Sequence, residues 1–256
     1  MERFSRSIEG MVALVTGAGS GMGRATAILF AQEGALVAAA DVNEEGLART
    51  VAAIEAAGGT ARGFVIDVGD PAAIDRGMAD VLGWHDRLDI VVNNAGVSGF
   101  LPLEDDGYDA NWERILRIDL SAHQRVIRKA LPFLRKSSAP RVVNIASTEA
   151  LGATAYDSAY CAAKAGVTGL TRALALEFGK EGITVNCICP GPIRTGMTDA
   201  VPEGDKELYA RRRTALRRYG EPEEVAHVTL SLCLPAASFI TGTVIPVDGG
   251  LMVRNA

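Results

Sequence analysis

Apolar positions along this chain keep two rhythms. Short apolar or β-branched runs, Val12 to Thr16, Leu36 to Ala40, Gly63 to Asp67, Ile90 to Asn93, Val142 to Ile145, Thr184 to Ile188 and Val244 to Val247, alternate with longer segments of helical spacing such as Arg24 to Glu33 and Glu44 to Ala57. Strands written as continuous apolar runs are buried on both faces, as in a parallel sheet covered by helices. The alternation predicts an α/β fold, a doubly wound parallel sheet of about seven strands with helices on both faces. No Pro/Ser-rich linker, composition break or internal repeat interrupts it, so a single domain over 1–256 is expected. Two stretches keep neither rhythm: 97–109, rich in Gly and acids, and 191–216, which opens Gly191-Pro192-Ile193-Arg194-Thr195. Long excursions after strands usually line the ligand crevice of such a sheet, and both are read as substrate loops.

Composition narrows the partners. At 256 residues, 48% of them hydrophobic, the chain can bury one large core. A formal charge of −5 with acids and bases interspersed leaves no basic stripe, so no nucleic-acid partner is expected. No cationic segment precedes an apolar run and no run approaches membrane-spanning length, which predicts a cytoplasmic protein without membrane attachment. Cys161, Cys187, Cys189 and Cys233 form no CxxC, and His85, His123 and His227 are scattered, so no metal site is expected.

Candidate chemistry begins at the fifth run. Ser147 follows it, and Tyr160 and Lys164 stand four residues apart, on one face if the segment is helical. A fixed ammonium stabilises a phenolate and is expected to draw the Tyr160 pKa down, while Ser147 is placed to donate to a reacting oxygen. A lone Tyr-x-x-x-Lys is more often a packing pair, so context has to decide. The first run supplies context in Gly17-Ala18-Gly19-Ser20-Gly21-Met22-Gly23, between a strand and a helix. Such glycines let a pyrophosphate approach a helix N-terminus, although the spacing is GxxxGxG and not GxGxxG. The second run ends at Asp41, whose carboxylate suits the ribose hydroxyls of NAD and repels the 2′-phosphate of NADP, with Ser20 and Val42 where a phosphate-binding base could sit.

Taken in order, Thr16 to Gly23, Asp67-Val68, Asn93-Asn94-Ala95-Gly96, Ser147 with Tyr160 and Lys164, Pro190-Gly191 with Thr195, and Val247 to Gly250 resemble the short-chain dehydrogenases/reductases over almost the whole chain. The resemblance implies a Rossmann-type domain moving a hydride between NAD and a secondary alcohol or ketone, commonly as a homotetramer. Tyr160 then looks like the acid/base, Lys164 like its pKa-lowering partner and ribose contact, and Ser147 like the polariser of the substrate oxygen. Gly17, Ser20, Gly21, Met22, Gly23, Asp41 and Val42 fall to the cofactor. So do Asp67 and Val68 at the adenine, Asn93 and Gly96 in the middle, Ile193 and Thr195 at the carboxamide, and Asn94, Ala95, Pro190 and Gly191; Asn94 and Asp248 to Gly250 read as largely structural. Asp119 stands where the family carries an Asn that holds a proton-relay water through its carbonyl. It either alters that relay or simply bonds to backbone. Glu149, Tyr156, Pro192 and Met197 are expected at the substrate with Ser147 and Tyr160. A 3-oxoacyl-thioester reductase is the alternative enzyme, and a nucleotide-sensing regulator the alternative of another class.

Overall fold

The computed structural model describes residues 4–253; the ends of the 1–256 domain lie outside them. Strands β1 (Val12–Thr16), β2 (Leu36–Asp41), β3 (Thr60–Val65), β4 (Ile90–Asn93), β5 (Arg141–Ile145), β6 (Thr184–Pro190) and β7 (Val244–Val247) form one parallel sheet in the order β3, β2, β1, β4, β5, β6, β7. Helices α1 (Gly21–Gln32), α2 (Glu44–Ala56), α3 (Pro71–His85), α4 (Tyr108–Leu116), α5 (Ala122–Leu134), α6 (Ser158–Phe178), α7 (Glu203–Arg213) and α8 (Pro222–Cys233) connect them.

Side chains of a strand alternate between faces. Ala13 and Val15 of β1 therefore enter a core with Phe30 of α1, Ile54 of α2 and Val225 of α8, whereas Val12 and Leu14 enter a second core with Ile74 of α3, Val126 of α5 and Phe178 of α6. Strand order reverses between β1 and β4, and the C-terminal ends of the strands around that point open a crevice.

Two expectations change, and one feature is new. The third run forms a strand at Thr60–Val65 rather than Gly63 to Asp67; as an edge strand it is mostly exposed, so burial on both faces, complete in β1, β4, β5 and β6, fails there. β7, at the other edge, is likewise only partly buried. The 191–216 excursion is no simple loop, because α7 lies within it. Finally, α4 and α5 are separated by a π-helical segment, Arg117–Ser121, with Asp119 buried at its centre. A π-turn widens a helix by one residue and redirects the side chains it carries.

Candidate active site

A cavity of about 540 Å³ lies at the strand-order reversal. Its floor is laced by Thr16, whose hydroxyl accepts the N–H groups of Asn94 (2.9 Å) and Ala95 (3.0 Å), while the Asn94 amide donates to the Thr16 carbonyl (2.9 Å). Gly17 has φ +69°, and a Cβ there would sit 2.7 Å from Asn94 Nδ2 and 2.9 Å from Ala95 Cα, so only glycine keeps this turn pressed on β4. Ser20 is the N-cap of α1, yet its side chain makes no cap bond and the first turn carries no acid. The leading N–H groups thus lack a side-chain cap beside the cavity, a setting that favours an anion. At the end of β2, Asp41 accepts from Gly19 N–H and Asn43 N–H at 2.8 Å each and still lines the cavity. These features fit the pyrophosphate and adenosine ribose of a dinucleotide.

Tyr160 and Lys164 of α6 line the opposite wall, the Lys164 Nζ lying 5.4 Å from the Tyr160 ring centre. Lys164 is buried, donates to the Ile145 carbonyl at 3.3 Å and pairs with Asp119 Oδ1 at 3.0 Å. Both oxygens of Asp119 also stand 3.2 Å from the Val97 N–H. Asp119 thus bonds to backbone and at the same time faces the lysine. A Cβ on Gly96 would fall 2.5 Å from Asp119 Oδ1 and 3.2 Å from Lys164 Nζ, which explains the glycine.

The Ser147 hydroxyl accepts the Glu149 N–H at 3.1 Å and stands near enough to the Tyr160 phenol to draw its pKa down. Burial pushes that phenol above its ordinary pKa; Lys164 and Ser147 act downward, Asp119 and Asp157 upward. The expected net lowering by Lys164 is thus corrected, because desolvation of the phenolate outweighs one ammonium. Burial also opposes the Lys164 ammonium, but Asp119 and Tyr160 outweigh it and its pKa lies above the usual value. Burial raises Asp119, against the pull of Lys164 and the Val97 N–H.

Of the residues read as cofactor contacts, Gly17, Ser20, Gly21, Met22, Asp41, Val42, Asp67, Val68, Asn94, Ala95, Gly96, Tyr160, Lys164 and Thr195 line the cavity. Five do not. Asn93 is buried and donates to Asn144 Oδ1 at 2.9 Å. Gly23 packs beneath the loop, where a Cβ would stand 2.1 Å from the Gly17 carbonyl oxygen. Pro190 ends buried β6, Gly191 abuts Asp248, and the Ile193 side chain turns to a second cavity of about 490 Å³ with Pro192. Met197 reaches the first cavity; Tyr156 is exposed at φ +68°, and its carbonyl accepts the Leu101 N–H at 2.7 Å, tying the two loops.

Of the charged residues at or near the site, Arg114 and Asp157 were not singled out in the sequence. Arg114 lines the cavity and donates to the Ser98 carbonyl at 3.0 Å; its signal was a position four before Ile118 on one helix face, and Ile118 also lines the cavity. Asp157, held up to about 6 by burial and then by Glu149 and Asp119, shows no such signal, because Glu149 reaches it only through the intervening loop.

Residues 17–252 match the family model described as enoyl-(acyl carrier protein) reductase. The chain is 38% identical over 250 residues to a 3-oxoacyl-[acyl-carrier-protein] reductase of Thermotoga maritima, covering 96% of this chain and 99% of that one. It is 40% identical over 239 residues to the meso-2,3-butanediol dehydrogenase of Serratia marcescens, covering 93% of each. A crystal structure of a short-chain type dehydrogenase/reductase from Mycobacterium marinum superposes with TM-score 0.90 at 29% identity, over 97% of this chain and 98% of that one.

Proposed function

The chain belongs to the short-chain dehydrogenase/reductase family, and from that premise we propose that it transfers a hydride between NAD(H) and a secondary alcohol or ketone through Ser147, Tyr160 and Lys164. The observation that carries this reading is the pairing of Tyr160 and Lys164 on one wall of the cavity, the Lys164 ammonium beside the ring, with Ser147 near enough to the phenol to draw its pKa down. When bound, the nicotinamide accepts or returns the hydride. In oxidation, Tyr160 as phenolate takes the hydroxyl proton, Lys164 stabilises the phenolate, and Ser147 donates to the forming carbonyl oxygen. Asp119 holds Lys164 in place.

Asp41 supports NAD over NADP, since a carboxylate at the end of β2 repels a 2′-phosphate. Asp41→Ala should narrow the NAD to NADP ratio of kcat/KM by about tenfold or more. Equal efficiency with both cofactors in the unaltered protein would remove the argument.

Asp119 raises the Tyr160 pKa through its charge. Oxidation needs the phenolate and rises with pH as Tyr160 deprotonates, so Asp119→Asn should move that rising limb toward lower pH. Superimposable profiles at saturating alcohol and NAD would show that the carboxylate charge does not reach the proton transfer.

The alternative, reduction of a 3-oxoacyl thioester, draws on the likeness to the Thermotoga reductase. NADPH-dependent reduction of such a thioester, without NAD-dependent alcohol oxidation, would favour it. A homotetramer is part of the proposal, supported by exposed apolar Leu176 on α6 and Phe239 and Ile240 before β7. Light scattering at micromolar concentration should then give a mass well above one subunit. No helix among the described residues is long and apolar enough to cross a membrane, and the four free cysteines accord with a reducing, cytoplasmic setting.

A further inference from the structure

Beside the catalytic residues, between the turn after Ser147 and the first turn of α6, lies a cluster that the proposed chemistry leaves unused. Ligand atoms of Glu149, Asp157 and Cys161 all fall within 4.8 Å of one another. Scattered cysteines and histidines gave no metal motif in the sequence. The fold assembles this group by folding a short 3-10 turn, Thr148–Ala150, back against the start of α6.

Asp157 is the unusual member. It is the N-cap of α6, a position where aspartate ordinarily accepts from the first helical N–H groups, yet its side chain makes no cap bond. The residue is 3% exposed, and its Oδ1 is buried with no hydrogen-bond partner. A buried acceptor left unpaired carries its full desolvation penalty, larger still when charged, so the absent cap points to another partner. Glu149 has partners on both oxygens, Thr154 Oγ1 at 2.9 Å and Cys161 Sγ at 3.3 Å. Among the described residues no ion pair involves Glu149 or Asp157, so two neighbouring carboxylates share a pocket without a cation.

We propose that Glu149, Asp157 and Cys161 form a divalent zinc site that ties the turn after Ser147 to the first turn of α6. Two carboxylates and a thiol match a borderline-soft ion better than Mg²⁺ or Ca²⁺, which take oxygen ligands alone. Asp157 and Cys161 are four apart and so share a helix face. Ligand atoms within 4.8 Å of one another need a modest contraction to surround an ion at zinc bonds of about 2.0–2.3 Å, and the exposed segment 151–156, which joins the turn carrying Glu149 to α6, supplies it. The partial positive charge of the α6 N-terminus, about half a unit, opposes a cation but is outweighed by two carboxylates and a thiolate. On binding, the Cys161 S–H bond breaks, a zinc–sulfur bond forms and the proton passes to solvent, with no change of oxidation state. The Cys161–Glu149 hydrogen bond gives way to the metal.

The test uses the full chain, stripped with a chelator and dialysed against zinc chloride. One zinc ion per chain is expected, with a rise in Tm as zinc is added. Cobalt in its place should give a near-ultraviolet thiolate-to-cobalt band. Cys161→Ser should abolish the band, and Asp157→Asn or Glu149→Gln should weaken zinc binding by about tenfold or more. Asp157→Asn, which keeps the side chain's size, serves if the serine variant fails to fold. No saturable zinc binding, or a cobalt band that survives Cys161→Ser through Cys187 and Cys189, would overturn the proposal. None of these readouts depends on turnover, so failure here leaves the hydride-transfer reading untouched.

Discussion

Tyr160→Phe is expected to lower turnover by about 10²–10⁴-fold while leaving dinucleotide affinity within a few-fold. The change removes only the phenolic oxygen. The ring, packed with Ile115, Ala159 and Ala163 in one apolar cluster, keeps its neighbours, so the cavity wall survives. What is lost is the group that exchanges the proton and whose pKa Lys164 and Ser147 draw down. Tyr156→Phe is the control: that residue is 66% exposed at a loop position and reaches its partner, Leu101, through its carbonyl. Its loss should change turnover no more than a few-fold. Paired assays of alcohol oxidation decide the matter, and equal losses in the two variants would move the base away from Tyr160.

Lys164→Met should cost both activity and stability. Its ammonium and Asp119 lie 3.0 Å apart with side chains 3% and 0% exposed. Removing one member of a buried pair strands the other charge, at about 3–5 kcal/mol. For a chain of this size that corresponds to a fall in Tm of roughly 6–20 °C. Adding Asp119→Asn removes the stranded charge and keeps an oxygen for the Val97 N–H, so the double variant should regain at least half of the lost Tm. Turnover should stay low in both, because the ammonium that stabilises the phenolate is gone. A double variant no more stable than Lys164→Met would show that the ion pair is not the source of the loss. Recovery of turnover in the double variant would show that Lys164 acts only through packing.

The runs Val12 to Thr16, Ile90 to Asn93, Val142 to Ile145 and Thr184 to Ile188 told of buried strands because two helical layers demand apolar residues at every position, whereas the place of the reversal where the cavity opens came from the sheet order. Asp41 was legible for the same reason, as a charge at the end of such a run. The edge strand β3 misled by position: with a neighbour on one side only, its residues need not be apolar, and the sequence favoured Gly63 to Asp67 over Thr60–Val65. The π-segment at Arg117–Ser121 left no mark, since one inserted residue barely disturbs helical spacing, yet it sits where Asp119 turns to Lys164. The motif order suggested roles for Tyr160 and Lys164, but not the burial that raises the Tyr160 pKa, which depends on what packs around the ring. The Glu149, Asp157 and Cys161 cluster was hidden for a similar reason, because its closeness depends on a loop that includes Tyr156 at φ +68°.

The central claim, NAD-dependent hydride transfer at a secondary alcohol, is met most directly by following reduced-cofactor absorbance with the purified chain. NAD and NADP should each be offered a panel running from meso-2,3-butanediol, sugars and polyols to hydroxy acids, steroids and 3-hydroxyacyl thioesters. The account predicts turnover of at least one secondary alcohol, a higher kcat/KM with NAD than with NADP, and loss of that signal in Tyr160→Phe. Cofactor binding without oxidation of any alcohol or reduction of the matching ketones, or turnover with NADP alone, would contradict it.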